Sequence, residues 1–107
     1  MFCYPENIAT EMRKLFIDLR RQHYLRGLPP EAFATAAAHF LAELNAIHAF
    51  REGNGRSQLA FMTLIAARAN HPFDLERLSP GPFLAAMIAS FAGDEAPLRG
   101  QIRGLLG

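Results

Sequence analysis

The stretch HAFREGNGRSQL, His48 to Leu59, separates two long apolar segments of the chain. It brings together an imidazole, a carboxylate, two glycines, two side-chain amides and two guanidinium groups. The segment before it, FLAELNAI, and the segment after it, AFMTLIAARA, carry apolar residues at the spacing of an α-helix. The sequence therefore predicts a polar loop held between the end of one helix and the start of the next.

The middle of this stretch has the composition of an anion-binding loop. Gly53 and Gly55 allow a tight turn whose backbone N–H groups can approach a ligand closely, and the amide of Asn54 can donate as well. Because the next helix is expected to begin at Asn54 or Gly55, its free N–H groups and the positive end of its dipole face the same point. Arg56, in the first turn of that helix, adds a planar fork suited to phosphate.

A carboxylate and an imidazole complete the set of candidate site residues. Glu52 would repel a bare phosphate, but it fits if Mg²⁺ lies between them, since magnesium is commonly held by carboxylates together with substrate phosphates. His48, at the end of the preceding helix, could take a proton from an attacking hydroxyl. Together these residues favour transfer of a group from a nucleotide. The stretch is not a Walker P-loop, because it lacks Gly-Lys-Ser/Thr and follows a helix rather than a strand.

The rest of the chain predicts an all-α fold. No segment alternates apolar and polar residues as a half-buried strand does. Glycine and proline residues break the chain at RGLPP, SPGP and GDEAP. The remaining segments predict helices over about Pro5–Tyr24, Pro30–His48, Asn54–Asn70 and Phe83–Ala92, a short turn around Asp74–Leu78, and a weak C-terminal helix over LRGQIRGLL.

Apolar residues on one face of each predicted helix supply the candidate core. The clearest face belongs to the second helix, and the phenylalanines of the later helices are expected to join it. The candidate core residues are Ile8, Met12, Leu15, Phe16, Leu19, Phe33, Ala37, Phe40, Leu41, Leu44, Leu59, Phe61, Met62, Ile65, Ala66, Phe83, Met87 and Phe91. His23 and His39, which lie outside the central stretch, are interpreted as solvent-facing or packing residues. His71, in HPFD, is interpreted as part of a turn after the third helix, because no glycine-rich loop follows it.

Composition limits the possible function classes. The chain has 107 residues, which is room for one small domain. Its net charge of +1 argues against nucleic-acid binding, and its single cysteine, Cys3, excludes an internal disulfide and suits a reducing compartment. No apolar run is long enough to span a bilayer. We therefore expect a single domain, residues 1–107, that binds neither nucleic acid nor membrane and lies in the cytoplasm, or in another cell if it is delivered there as an effector.

The stretch HAFREGNGR resembles the signature of the Fic family, His-Pro-Phe-x-Asp/Glu-Gly-Asn-Gly-Arg-x-x-Arg. The similarity extends through LRGLPPEAFATAAAHFLAELNAIHAF and covers about residues 5–95. It implies a small helical bundle of the Fic type, and adenylylation, the transfer of AMP from ATP to a hydroxyl of a target protein. By this resemblance His48 is the general base, Phe50 anchors the loop, Glu52 holds Mg²⁺, and the phosphates are bound by Gly53, Asn54, Gly55 and Arg56.

Two positions depart from the family signature. Ala49 replaces the usual proline, and Leu59 replaces the second arginine, which helps to hold the outer phosphates in family members. The loss of that arginine leaves three alternatives: an adenylyltransferase that works without it, a weak or inactive nucleotide- or protein-binding domain, and a protein kinase similar to the Doc branch, whose motif also has an apolar residue there. Gly53 and Gly55 are the Fic forms and argue against the Doc alternative.

The resemblance also bears on regulation and on possible partners. Fic enzymes usually carry a β-hairpin flap before the first core helix, and this chain begins with MFCYPENI at about where that flap would end, so we expect the flap to be truncated or missing. The autoinhibitory pattern Ser/Thr-x-x-x-Glu-Gly/Asn does not occur in the sequence. Any inhibition would therefore come from a separate antitoxin-like protein, which would make this chain the toxin of a toxin–antitoxin pair.

Overall fold

The computed structural model describes residues 7–47 and 54–106, and within these residues it contains helices and turns but no strand. This agrees with the predicted all-α class. Two short 3₁₀ segments, His23–Leu25 and Leu75–Arg77, lie in connections between the α-helices. The α-helices are α1 (Ile8–Arg21), α2 (Pro30–Ile47), α3 (Asn54–Arg68), α4 (Pro80–Phe91) and α5 (Ala96–Leu105).

Helix α2 is the centre of the bundle, and the other helices pack around it. All five residues of its predicted apolar face are buried, and Phe33 and Ala37 are completely inaccessible to solvent. The core continues into α3 through Met62, Ile65 and Ala66, and into α4 through Phe83 and Met87. The apolar periodicity of α2 therefore predicted the middle of the core correctly.

Helix α1 lies on the outside of the bundle and is shorter than predicted. Of its predicted apolar face only Leu19 is buried, while Met12 and Leu15 are partly buried against the core. The helix ends at Arg21 because the next residues leave the right-handed region of backbone space. His23, Tyr24 and Leu25 all have positive φ angles, 54°, 55° and 65°, in a left-handed turn that turns the chain toward α2.

Helix α3 begins at Asn54, as the glycine-rich stretch predicted, and ends at Arg68. Its C-terminus is closed by Asn70, whose φ of 66° is the left-handed conformation common just after a helix. The N–H of His71 then donates to the carbonyl of Ala66 over 2.9 Å, which satisfies one of the free carbonyls at the helix end.

The last two helices differ in extent from their predictions. Helix α4 begins at Pro80 rather than Phe83, because proline is well tolerated in a first turn and Ser79 precedes it in an extended conformation. Helix α5 is a regular helix over ten residues despite Gly100 and Gly104. Leu98, Ile102 and Leu105 of α5 are at most 2% exposed, so tertiary packing outweighs the low helix propensity of the glycines.

Candidate active site

The structure frames the central polar stretch between the end of α2 and the start of α3. Helix α2 ends at Ile47, directly before His48, and α3 starts at Asn54. The predicted site residues His48, Phe50, Glu52 and Gly53 lie outside the described residues. Asn54, Gly55 and Arg56 form the first turn of α3, for which the structure describes the helical backbone but not the side chains.

The predicted phosphate-binding residues Asn54, Gly55 and Arg56 lie at a helix N-terminus. The first N–H groups of an α-helix have no partner within the helix, and the helix dipole places partial positive charge there. Helix α3 is 15 residues long, so this end is a full helix terminus and not an isolated turn. The structure therefore places a helix N-terminus within the Gly-Asn-Gly-Arg sequence, as the loop-to-helix pattern predicted.

Two buried amide side chains, Asn45 and Gln58, connect the helices on either side of the stretch. Asn45 is 0% exposed and Gln58 is 6% exposed. The Nε2 of Gln58 donates to Oδ1 of Asn45 over 3.5 Å, and Nδ2 of Asn45 donates to the carbonyl of Met87 in α4, also over 3.5 Å. The sequence analysis did not predict this pair. Asn45 is a polar residue within the apolar run Leu44–Ile47, and that position could have identified it as a buried polar residue.

Leu59 is used by this chain as a packing residue. Its side chain is partly buried against the hydrophobic core, one turn after the start of α3. The hydroxyl of Thr63, one turn further on, donates to the backbone carbonyl of Leu59 over 2.7 Å. The position where the family signature has its second arginine therefore contributes apolar contacts instead of a cation.

Two of the described histidines, His71 and His39, have structural contacts. His71 lies in a non-helical segment after α3, where its Nε2 is 2.6 Å from the carbonyl of Leu28 and its ring is 5.1 Å from the ring of Phe33. His39 is exposed and lies 3.2 Å from a carboxylate oxygen of Glu95. These contacts agree with the interpretation of His71 as part of a turn after α3 and of His39 as a solvent-facing or packing residue.

A cleft of about 980 Å³ runs between α1 and α2 and reaches Ile47, next to the central stretch. The charged groups on its rim include both partners of the Lys14–Glu11 ion pair, 3.3 Å apart, and Glu31, which pairs with Arg103 over 2.7 Å. Because these opposite charges pair with each other, the described part of the rim contains no unpaired cationic cluster.

No cluster of three or more His, Cys, Asp or Glu side chains that could hold a metal ion occurs in residues 7–47 and 54–106. The predicted magnesium ligand, Glu52, is outside these ranges. None of the described helices is both long enough and apolar enough to cross a lipid bilayer.

Comparison with known proteins gives a consistent result. The model of the Fic/DOC family matches residues 1–66. A probable protein adenylyltransferase of Sinorhizobium fredii, y4lH, is 52% identical over 106 residues, which cover 98% of this chain and 55% of the relative. The protein adenylyltransferase VbhT of Bartonella schoenbuchensis is 32% identical over 102 residues, which cover 95% of this chain and 21% of VbhT.

Solved structures show the same fold. The BepC protein of Bartonella tribocorum, determined with bound AMPPNP, superposes with a TM-score of 0.85 at 30% identity over 97% of this chain and 50% of BepC. The N-terminal Fic domain of a Bartonella quintana effector, determined with bound ADP, superposes with a TM-score of 0.86 at 28% identity over 97% of this chain and 49% of that one. The chain thus spans about half the length of several relatives, and a fifth of VbhT.

Proposed function

This chain belongs to the Fic/DOC family, and from that membership we propose that it is a protein adenylyltransferase. Its substrates would be ATP and a hydroxyl side chain of a target protein. The observation that carries the proposal is the start of α3 at Asn54, directly inside the Gly-Asn-Gly-Arg sequence, with α2 ending one residue before His48. The nucleotides bound by the solved relatives BepC and the Bartonella quintana effector support ATP as the donor.

In the proposed reaction, His48 acts on the target hydroxyl and the Gly-Asn-Gly-Arg residues act on the phosphates of ATP. The imidazole of His48 takes the proton from the target hydroxyl as that oxygen attacks the α-phosphorus of ATP. The bond from the α-phosphorus to the bridging oxygen breaks, so AMP stays on the target and pyrophosphate leaves. The backbone of Gly53, Asn54 and Gly55, together with the side chain of Arg56, binds the phosphates and holds the α-phosphorus near His48.

Magnesium fits the donor set of the same stretch. The carboxylate of Glu52 and the phosphate oxygens are the hard oxygen ligands that Mg²⁺ prefers, and a carboxylate beside a phosphate site is otherwise unfavourable. When bound, the ion would neutralise charge that develops on the leaving pyrophosphate. Phe50 would anchor the loop in the core between His48 and Glu52.

Leu59 supports a second candidate, a nucleotide-binding domain with weak or absent transfer activity. An apolar, partly buried side chain replaces the arginine that would contact the outer phosphates. The same apolar residue is compatible with a kinase similar to the Doc branch. The three functions differ in the phosphorus of ATP that reaches the target protein. Adenylylation transfers the α-phosphorus, phosphorylation transfers the γ-phosphorus, and a binding domain transfers neither.

One experiment separates the three functions. The protein is incubated with cell lysate, Mg²⁺ and ATP labelled at either the α- or the γ-phosphorus. We expect protein-bound label from the α position, and we expect His48→Ala to abolish it while ATP affinity, measured by calorimetry, stays within about threefold, because His48 acts on the hydroxyl and not on the phosphates. Label from the γ position alone would establish phosphorylation, and ATP binding without either label would establish a binding domain.

Partners and location are also part of the proposal. We infer a target protein that carries the modified hydroxyl, and we propose a separate antitoxin-like protein as the inhibitor. The reaction needs ATP, which suits the cytoplasm of the producing cell or of a recipient cell. Co-expression with genes encoded next to this one, followed by a growth assay, tests the toxin–antitoxin arrangement.

A further inference from the structure

Two buried amides connect the helices on either side of the proposed catalytic stretch. Asn45 lies in the last turn of α2, three residues before His48, and Gln58 lies in the second turn of α3. Both are more than nine-tenths buried, although asparagine and glutamine are mostly surface residues. Their side chains meet each other and the backbone of α4, so one small network touches three helices.

The hydrogen-bonding groups of this network can be oriented in only one way. The carbonyl of Met87 can only accept, so Asn45 must turn its NH₂ group toward it. The Oδ1 of Asn45 then faces Gln58, and Gln58 must donate to it from its own NH₂ group. The Oε1 of Gln58 is consequently left over, and it has no hydrogen-bond partner within the part of the chain that the structure describes.

Stability does not account for this network. Both side-chain hydrogen bonds are long, at 3.5 Å, and therefore weak. A buried acceptor without a partner is destabilising, whereas two apolar side chains of similar size would fill the same space with no unsatisfied atom. What the amides provide, and apolar residues would not, is a directional connection between α2, α3 and α4.

We propose that Asn45 and Gln58 are positioning residues that fix the end of α2 relative to the start of α3. This inference rests on the proposed function, since it assigns the base to His48 at the first helix end and the phosphate cradle to the second. Because both amides are buried, they are assigned no direct contact with substrate or nucleotide. They set the distance and angle between the two halves of the site, to which transfer rates are sensitive.

Gln58→Met tests the role most directly. Methionine has a similar length and volume, and it removes both the donor to Asn45 and the unpartnered Oε1. We expect kcat for adenylylation to fall about tenfold or more while KM for ATP changes less than about twofold, because ATP still binds at the start of α3. We expect the melting temperature to change little, because the variant removes one unpartnered buried acceptor, Oε1 of Gln58, and leaves another, Oδ1 of Asn45.

Ser90→Ala is the matched control. The Ser90 hydroxyl donates to the same Met87 carbonyl over 2.7 Å and is equally buried, but it belongs to α4 and does not connect α2 with α3. We expect this variant to keep the wild-type kcat. The double variant Asn45→Leu with Gln58→Met gives an apolar pair, which we expect to be stably folded and as slow as Gln58→Met alone.

Amide hydrogen exchange provides a readout that does not depend on activity. We expect Gln58→Met to speed exchange in the last turn of α2 and the early part of α3, and Ser90→Ala to leave both unchanged. Unchanged exchange in Gln58→Met, or equal acceleration throughout the protein, would overturn the positioning role. Wild-type protein with no transfer activity would overturn the proposed function, and the exchange measurement would still decide whether the amides hold the two helix ends together.

Discussion

Leu59 stands where the family signature has a phosphate-binding arginine, and its side chain packs against the hydrophobic core instead. Its side chain is partly buried beside the hydrophobic cluster, one turn after the proposed cradle. An arginine at this position could still extend its guanidinium to the helix surface, because long cationic side chains keep their apolar stems on the protein and their charges in water. The position is therefore able to accept the family's residue at a moderate cost in packing.

Leu59→Arg is expected to raise the rate of adenylylation. The added guanidinium would neutralise the outer phosphates and stabilise the leaving pyrophosphate, an effect of about tenfold or more in kcat for a single charged donor. We expect the free energy of unfolding to fall by about 1 kcal/mol from the lost apolar contact. The measurement is transfer of α-labelled AMP, with Leu59→Met as the control that preserves packing. A rate equal to wild type would show that the missing arginine does not limit the reaction.

Individual side chains mark the limit of what the sequence could predict. His71, in HPFD, imitates the start of the family signature, and the absence of glycines after it correctly identified it as a structural residue. Asn45 and Gln58 were missed because helical periodicity separates buried from exposed positions but does not say which buried polar groups will meet. Their partners come from α2, α3 and α4, and only the tertiary structure brings these together.

Among the individual elements, the connection between α1 and α2 has the least expected geometry. Three consecutive residues other than glycine, His23, Tyr24 and Leu25, adopt left-handed backbone angles. Leu25 is 1% exposed, and its burial in the core helps to hold the turn in this conformation. The N–H groups of Leu25 and Arg26 donate to the carbonyls of Gln22 and His23, over 3.0 and 3.2 Å. Nothing in the apolar pattern predicted a left-handed turn here, since it contains no glycine or asparagine.

His23→Gly is expected to stabilise the protein. A left-handed conformation costs a residue with a Cβ roughly 1–2 kcal/mol, whereas glycine adopts it freely and loses roughly 0.5–1 kcal/mol more chain entropy on folding. Because His23 is exposed, few contacts are lost. The net gain in the free energy of unfolding is about 0.5 kcal/mol, measured by urea denaturation.

Arg13→Gly is the control for this prediction. Arg13 is an exposed residue in the middle of α1 with ordinary helical geometry. There glycine should destabilise the protein by about 1 kcal/mol. Equal destabilisation by the two glycines would show that the turn at His23 carries no strain.

At the scale of the whole molecule, the core extends beyond the segment that carries the family signature. The family model matches residues 1–66, yet Met87 of α4 and Leu98, Ile102 and Leu105 of α5 belong to the same buried cluster as Phe33 of α2. The sequence predicted the α2 and α3 faces from large apolar residues at helical spacing, such as Phe33 and Phe40 in α2 and Met62 and Ile65 in α3. It underestimated α5, whose glycines lower its intrinsic helix propensity while its three apolar residues are fully covered by other helices.

Ile102→Ala tests whether α5 is part of a single cooperative domain. Ile102 is 0% exposed, and removing its side-chain atoms would leave a cavity in the core, so we expect the free energy of unfolding to fall by about 2–4 kcal/mol. Unfolding in urea, followed by both circular dichroism and a probe on α1, should remain a single transition at a lower midpoint. Arg99→Ala, an exposed change in the same helix, should stay within about 0.5 kcal/mol of wild type. A variant in which α5 melts first, while the probe on α1 keeps the wild-type midpoint, would show two cooperative units. The fold around the start of α3 would then not depend on α5.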